Sequence, residues 1–540
     1  MKKEIYGSTA GLRSTLIKRI ENLYTFKVQP EEIASPELVL EMVEISHEIR
    51  RQIGVLIDRN GKVATVMAGD TQRIVIPVTP DHMAIPGRLK GLRCVHTHLK
   101  DEALTRDDLT DLALLRLDFM TAVCLTADGL PGPVYSGHIL PDPEQEPYQV
   151  LERASMEELD IDCRSQILDL ESELSRKNAL YKPESGKENA FLINAITDDV
   201  NAARASMDEL RELCKTSHIN IIDTAIQRRR KVDPKFVVGR GKLADLVIQA
   251  IQHHATMLIF DRELSPSQIR SITDYVEMKV IDRTQLILDI FAKQAKSKEG
   301  KFQVELAQLE YLLPRLITKN TAMSRLAGGI GGRGPGETKL EVNRRRVRDR
   351  ISRLRKDITR IRKQRKQQKA RRKRNNLPII SIVGYTNAGK STLLNTLTQS
   401  DIIAADRLFA TLDPSSRRLR FPRDTEVIIT DTVGFIQNLP KELMEAFHAT
   451  LEELRDADII LHVIDISNPR YQQQMESVEN ILKKLDLDKI PTLYIFNKID
   501  QVDLDNFDNP WLLNQGITVS ALQKRTLAAL VEKLETMVRI

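Results

Sequence analysis

The sequence predicts an α/β protein, and three observations carry that expectation. Residues 378–392, "PIISIVGYTNAGKST", run an apolar strand into a glycine-bounded loop, and "STLLNTL" then opens a helix. Residues 188–293 alternate short apolar strands with amphipathic helices. Residues 298–374 lose the strand signal and become strongly basic. A chain of 540 residues suggests about three or four domains. The pattern shifts set them at 1–185, 188–297, 298–374 and 375–540.

Residues 1–185 read as an N-terminal mixed α/β extension. "QIGVLID" and "VATVMAG" are strands around an "RNGK" turn, and "DFMTAVCLTADG" holds another strand. A polar segment, "RKNALYKPESGKENA", reads as the link to the next part. There, "FLINAI", "HINIIDTAI" and "TMLIF" read as strands. Met207, Leu210 and Cys214 mark one helix, and Leu243, Leu246, Val247, Ala250 and Ile251 mark another. Ser265 and Pro266 sit where a helix cap and first turn belong.

From about residue 298, Leu306, Leu309 and Leu313 give a helical stripe. "AGGIGGRGPGE", residues 327–337, cannot continue a helix, and a second helix is expected up to Arg374. Two helices around a glycine-rich tip suggest an antiparallel hairpin. Residues 339–374 hold 19 Lys and Arg against three acids. Such a density repels itself unless a polyanion neutralises it, and with no aromatic residue there to stack on bases, backbone phosphate is the expected partner. A solvated charged face is the competing reading. The net charge of +6 is also uneven: residues 1–185 carry 22 basic and 30 acidic residues.

Bulk features exclude other classes. No run of eighteen apolar residues predicts a membrane span. "MKKEIYGSTAGLR" lacks the apolar core of a secretory signal. Cys94, Cys124, Cys163 and Cys214 form no CxxC pair and read as reduced thiols in a cytoplasmic protein. Nothing suggests a coiled-coil dimer, so a monomer is expected.

Gly384-x4-Gly389-Lys390-Ser391 follows a strand and opens a helix, the context that a phosphate loop requires. Backbone N–H groups from Gly384, Tyr385, Thr386, Asn387, Ala388 and Gly389 through Thr392 are expected to cradle phosphates, with Lys390 on the β- and γ-phosphates and Ser391 on Mg²⁺. "EVIITDTVGF" ends at Asp431, a second Mg²⁺ group, followed by Thr432, Val433 and Gly434, whose N–H is the candidate γ-phosphate sensor. "TLYIFNKID" brings Asn497, Lys498 and Asp500, whose carboxylate can accept the two adjacent N–H donors of guanine that adenine lacks. Ser520, Ala521 and Leu522 follow the strand-like "GITV" and can offer backbone N–H to guanine O6. The site is thus read as one for GTP and GDP.

The first switch falls between Ser400 and a strand at residues 418–421. "DRLFATLDPSS" offers Thr411 as the residue that meets Mg²⁺ when the γ-phosphate is present; the same stretch also reads as a β-turn at Asp413-Pro414, with Ser415 and Ser416 as rival hydroxyls. After Gly434, where many such switches place a water-orienting glutamine, stands Phe435.

The phosphate loop, "LFATLDP", "DTVGF", "GGRGPGETKLE", "FVVGRGKLADL" and "FDRELSPSQ" together resemble the HflX family of ribosome-associated GTPases, over about residues 188–540. The resemblance implies a P-loop GTPase domain preceded by a small α/β domain with a long helical hairpin. It also implies action on the large ribosomal subunit and its RNA, with the tip at residues 328–336 directed at the peptidyl-transferase centre and stalled ribosomes separated into subunits under stress. Some relatives have a further domain after the GTPase; here "ALQKRTLAALVEKLETMVRI" reads as a closing helix.

The extension lies outside that resemblance. "CVHTHLKDEALTRDDL" sets His96, His98, Thr105 and Asp108 in an order that resembles the JAMM metalloprotease pattern, which implies a zinc site with Glu44 or Glu48 as general base. The spacing from His98 to Asp108 is one residue short of that pattern, and Leu99 stands where a proline often follows. The other reading is a docking or regulatory domain whose histidines are structural.

Overall fold

The computed structural model describes residues 4–77, 89–140, 148–180, 188–317, 339–372, 377–398, 415–436, 452–503, 507 and 515–539, apart from short interruptions within them. They fall into two compact units: residues 1–207 with 218–281, and residues 208–217 with 282–540.

The first unit carries two sheets. β1 (Ile5–Gly7), β2 (Ile53–Asp58), β3 (Val63–Ala68), β4 (Leu92–His98), β5 (Phe119–Leu125), β6 (Pro131–Ile139) and β7 (Tyr148–Val150) pair in the order β1-β3-β2-β4-β5-β6-β7. β2 and β3 form the expected antiparallel hairpin. β4 and β5 are parallel, because a helix makes the crossover between them. All of β4 and β5 is buried, which suits strands covered on both faces. α1 (Ser14–Asn22) and α2 (Pro36–Ile49) precede the hairpin, and α2 seats Leu38, Met42 and Val43 in the core under this sheet. α3 (Arg106–Leu114) is the crossover helix, and α4 (Cys163–Leu180) follows β7. The polar segment expected to be a link from residue 176 is therefore helical as far as Leu180.

β8 (Asn189–Ile196), β9 (Asn220–Arg228), β10 (Met257–Phe260) and β11 (Lys279–Asp282) form the second sheet, ordered β11-β10-β8-β9. Between them run α5 (Val200–Thr216), α6 (Arg240–Gln252) and α7 (Pro266–Thr273). Ser265 caps α7 in a reciprocal box with Gln268, with Pro266 in the first turn.

The second unit starts with the last turns of α5, then α8 (Arg283–Gln294), α9 (Lys298–Leu312) and the long α10 (Lys339–Arg372). Leu306 packs with Ile351, Leu354 and Ile358, and Glu305 and Glu310 bind Arg350 and Arg355. The glycine-rich tip expected between these helices lies outside the described residues. β12 (Ile379–Gly384), β13 (Ser415–Arg420), β14 (Glu426–Asp431), β15 (Ile459–Asp465), β16 (Thr492–Asn497) and β17 (Gly516–Thr518) pair as β13-β14-β12-β15-β16-β17. Only β13 is antiparallel within this sheet. β13 begins at Ser415, earlier than the sequence suggested, so Ser415 and Ser416 lie in a strand. α11 (Lys390–Thr398) leaves the tip of β12, α12 (Tyr471–Lys484) follows β15, and α13 (Ala528–Arg539) closes the chain. That closing helix starts later than expected, after a short 3-10 turn at Lys524–Leu527.

Candidate nucleotide site

In a parallel sheet ligands sit at the carboxyl ends of the strands. Those ends bring together the Gly384–Ser391 loop, Asp431 and Asn497. Gly389 takes φ 90°, and a Cβ there would lie 2.3 Å from Asn497 Nδ2. That amide donates to the Ala388 carbonyl at 2.8 Å, and its Oδ1 accepts from the Ala521 backbone N–H at 2.8 Å. One buried asparagine thus ties the phosphate loop to the segment at Ser520 and Ala521. Asn387, with φ 62°, supplies the other left-handed turn of the loop.

Lys390 is buried and donates to the Tyr385 carbonyl at 2.7 Å. Burial pulls its ammonium down to about 8, against the opposing pull of Asp431. Such a lysine is held ready for a phosphate charge. Ser391 Oγ donates to Asp431 Oδ2 at 2.7 Å. A hydroxyl beside a carboxylate is a hard oxygen pair that fits Mg²⁺. Thr432 donates to the Ile382 carbonyl at 2.6 Å, which fixes the strand end before Gly434. A Cβ on Gly434 would meet Thr386 Cγ2 at 2.9 Å and Lys390 Nζ at 3.0 Å, so a larger residue there would push on the loop and on Lys390.

Lys498, in the left-handed region at φ 67°, binds Asp465 at 2.7 Å. Asp500 is exposed, Ser520 and Ala521 are buried, and Leu522 is 74% exposed. Thr392 lies in the first turn of α11. Thr411 and Val433 fall outside the described residues, so the first switch is not placed.

Phe435 is only 2% exposed. Its N–H donates to the Gly384 carbonyl at 3.1 Å, and its carbonyl accepts from the Thr386 N–H at 2.7 Å. The side chain is core, and the backbone locks the strand end to the phosphate loop.

The sequence reading missed two partners. Tyr385 donates its hydroxyl to Glu209 on α5, and Glu209 in turn binds Arg283 on α8 at 2.5 Å, all three buried. Nothing in the periodicity of α5 marks Glu209. Asp465, the partner of Lys498, was more accessible, as a carboxylate ending the apolar run "IILHVID". A cleft of about 390 Å³ lies beside this network, lined by Glu209, Arg211, Tyr385, Thr386, Asp465 and Arg470 among others.

In the extension, His96 and His98 face Asp108, as the motif suggested. Glu44 and Glu48 do not: both bind Arg19, at 2.9 and 3.3 Å, which corrects the expectation of a general base there.

Comparison with known proteins adds to this geometry. Residues 204–292 match the family model "GTP-binding GTPase N-terminal", residues 294–372 match "GTP-binding GTPase Middle Region", and residues 379–498 match "50S ribosome-binding GTPase". "GTPase HflX" of Caldanaerobacter subterraneus subsp. tengcongensis is 45% identical over 349 residues, 65% of this chain and 80% of its own length. "GTPase HflX" of Escherichia coli (strain K12) is 45% identical over 297 residues, 55% of this chain and 70% of its own. A solved structure described as "SsGBP and GDP complex" is 26% identical with a TM-score of 0.39, covering 65% of this chain and 98% of that one.

Proposed function

Since the chain belongs to the HflX family of GTPases and hydrolyses GTP, we propose that it acts on the large ribosomal subunit and splits stalled ribosomes in the cytoplasm. The observation that carries this reading is the shape of α10. Val347, Ile351, Leu354 and Ile358 line one side toward α9, while Arg346, Arg348, Arg353, Lys356, Arg360 and Lys363 stand exposed. That cationic surface is a track for RNA phosphates. Among the described residues no helix is long and apolar enough to cross a membrane.

In the nucleotide site we assign Lys390 to the β- and γ-phosphates, and the backbone of residues 384–392 to the phosphate cradle. Gly434 senses the γ-phosphate. Asn497 and Lys498 brace the base site, Asp500 reads guanine, and Ser520, Ala521 and Leu522 close over O6. Ser391, Asp431 and Thr411 would hold Mg²⁺, which when bound neutralises charge on the phosphate oxygens. We read the four segments 1–185, 188–297, 298–374 and 375–540 as domains of a monomer.

A buried phenylalanine at position 435 offers no hydrogen bond to the attacking water. The free protein therefore turns GTP over slowly, and the ribosome orders the switches. Steady-state GTP hydrolysis alone and with large subunits, beside Lys390→Ala, tests this. Strong stimulation that needs Lys390 is expected. Fast turnover without ribosomes would overturn it and point to another side chain of this protein. No turnover under either condition would favour a different reading, an RNA-bound scaffold gated by GTP.

A further inference from the structure

The geometry points to a divalent metal site of the zinc type in the N-terminal extension, formed by His96, His98 and Asp108, that clamps β4 to α3 rather than performing hydrolysis. Along a strand, residues two apart share a face, so β4 presents both imidazoles on one side. Their Nε2 atoms lie 3.0 Å apart. Asp108, in the first turn of α3, brings Oδ1 to 3.4 Å from His96 Nε2 and Oδ2 to 3.4 Å from His98 Nε2. Zinc–nitrogen bonds of about 2.0–2.1 Å at a tetrahedral angle separate two donors by roughly 3.3 Å. The observed separations of 3.0 and 3.4 Å lie close to that spacing, and one ligand atom from each of the three side chains falls within 4.8 Å of the others.

The supporting contacts suit the role. His98 Nδ1 faces the Glu102 carbonyl at 2.9 Å. A proton on Nδ1 serves that bond and leaves the Nε2 lone pair toward the cluster. Thr105 donates to Asp108 Oδ2 from its N–H at 2.8 Å and from its hydroxyl at 2.6 Å, which aims the carboxylate. All three groups are buried, and two imidazole nitrogens facing each other in a buried site need a proton or a cation between them. Two imidazoles and one carboxylate form a borderline donor set that selects first-row divalent cations over Ca²⁺ or Mg²⁺.

Among the described residues no further carboxylate joins the three donors. With Glu44 and Glu48 held by Arg19, no base stands ready to activate a metal-bound water. What the site does hold is the start of α3. That helix carries Arg106, which binds both oxygens of Asp245 on α6 at 2.8 Å, and Asp111, which lies 3.9 Å from Arg240. Leu114 at its end packs with Leu243, Leu246 and Val247. Metal at the first turn of α3 therefore braces the packing of the extension on the second sheet.

The test uses the full chain, dialysed against zinc and then against metal-free buffer, with metal content measured by mass spectrometry. One zinc per chain is expected in the wild type and background in His96→Gln/His98→Gln, with GTP hydrolysis equal in both as the check on folding. Replacing zinc with Co²⁺ should give a visible d–d band in the wild type alone, and chelation should make the α3–α6 segment exchange its amide hydrogens faster. Should the double variant misfold, His98→Asn alone serves for the same comparison. A wild-type chain without zinc or a cobalt band would overturn the site and leave a proton-sharing triad. Equal metal in wild type and variant would also overturn it, and metal-dependent peptide cleavage would overturn the clamp.

Discussion

Tyr385 sits inside the phosphate loop, yet its hydroxyl is spent on Glu209, which also pairs with Arg283. Tyr385→Phe removes one hydrogen bond to a charged acceptor, a loss of about 1.5–3 kcal/mol. Glu209→Gln removes the carboxylate facing a guanidinium whose side chain is 6% exposed. Breaking a buried pair costs about 3–5 kcal/mol. Arg283 has further interactions, so the low end applies. Because both changes strike one network, the double variant should lose at least about 1 kcal/mol less than the sum. Calorimetry reads this out in the transition that moves when GDP is added, which identifies the nucleotide-binding unit in a multi-unit protein. At about 2 °C per kcal/mol for a unit of this size, Tyr385→Phe should lower that transition by roughly 3–6 °C and Glu209→Gln by roughly 6 °C. GDP affinity should fall in both. Single variants within about 1 °C of the wild type, or strictly additive losses, would refute the idea that this network holds the loop.

Other changes have equally direct readouts. Gly389→Ala puts a methyl group 2.3 Å from Asn497 Nδ2 at a left-handed backbone position, so nucleotide binding by fluorescence titration should drop at least about tenfold. Asp500→Asn should shift preference from guanine toward xanthine nucleotides, and unchanged GTP preference in competition binding would contradict the assigned base reader. Burial pushes the Cys163 thiol up to about 12, against a smaller opposite pull from Arg93. The folded state thus favours the protonated thiol, a stabilisation present below pH 9 and lost above it by up to about 1.4 kcal/mol per pH unit. Cys163→Ser should flatten that alkaline slope in denaturant melts, and the native thiol should resist aromatic disulfide reagents at pH 8.

Local chemistry made some of the molecule readable in advance. Ser265-Pro266 and the strand–loop–helix at Gly384–Ser391 each encode their geometry within a few residues. So do the short apolar runs of β2 and β3 around their turn and the helical spacing of apolar residues in α6. Pairings across long sequence distances were less legible. Glu209 reaches Tyr385 across 176 positions, and nothing in an amphipathic helix says which of its polar residues turns inward. The JAMM-like order did point to the convergence of His96, His98 and Asp108, because the period of a strand and the cap of a helix both restrict side-chain direction. It failed for Glu44 and Glu48, where Arg19 on a neighbouring helix supplies a nearer charge.

The backbone bonds between Phe435 and residues 384 and 386 tie the segment after β14 to the phosphate loop. A partner that displaces this strand end must displace the nucleotide's seat as well. Thermodynamic reciprocity then fixes the sign of the exchange: a surface that grips the protein more tightly when nucleotide is bound must tighten nucleotide binding by the same free energy. The two backbone bonds beside Gly434 thereby make the grip of a partner on this strand end and the retention of a nucleotide two views of one equilibrium.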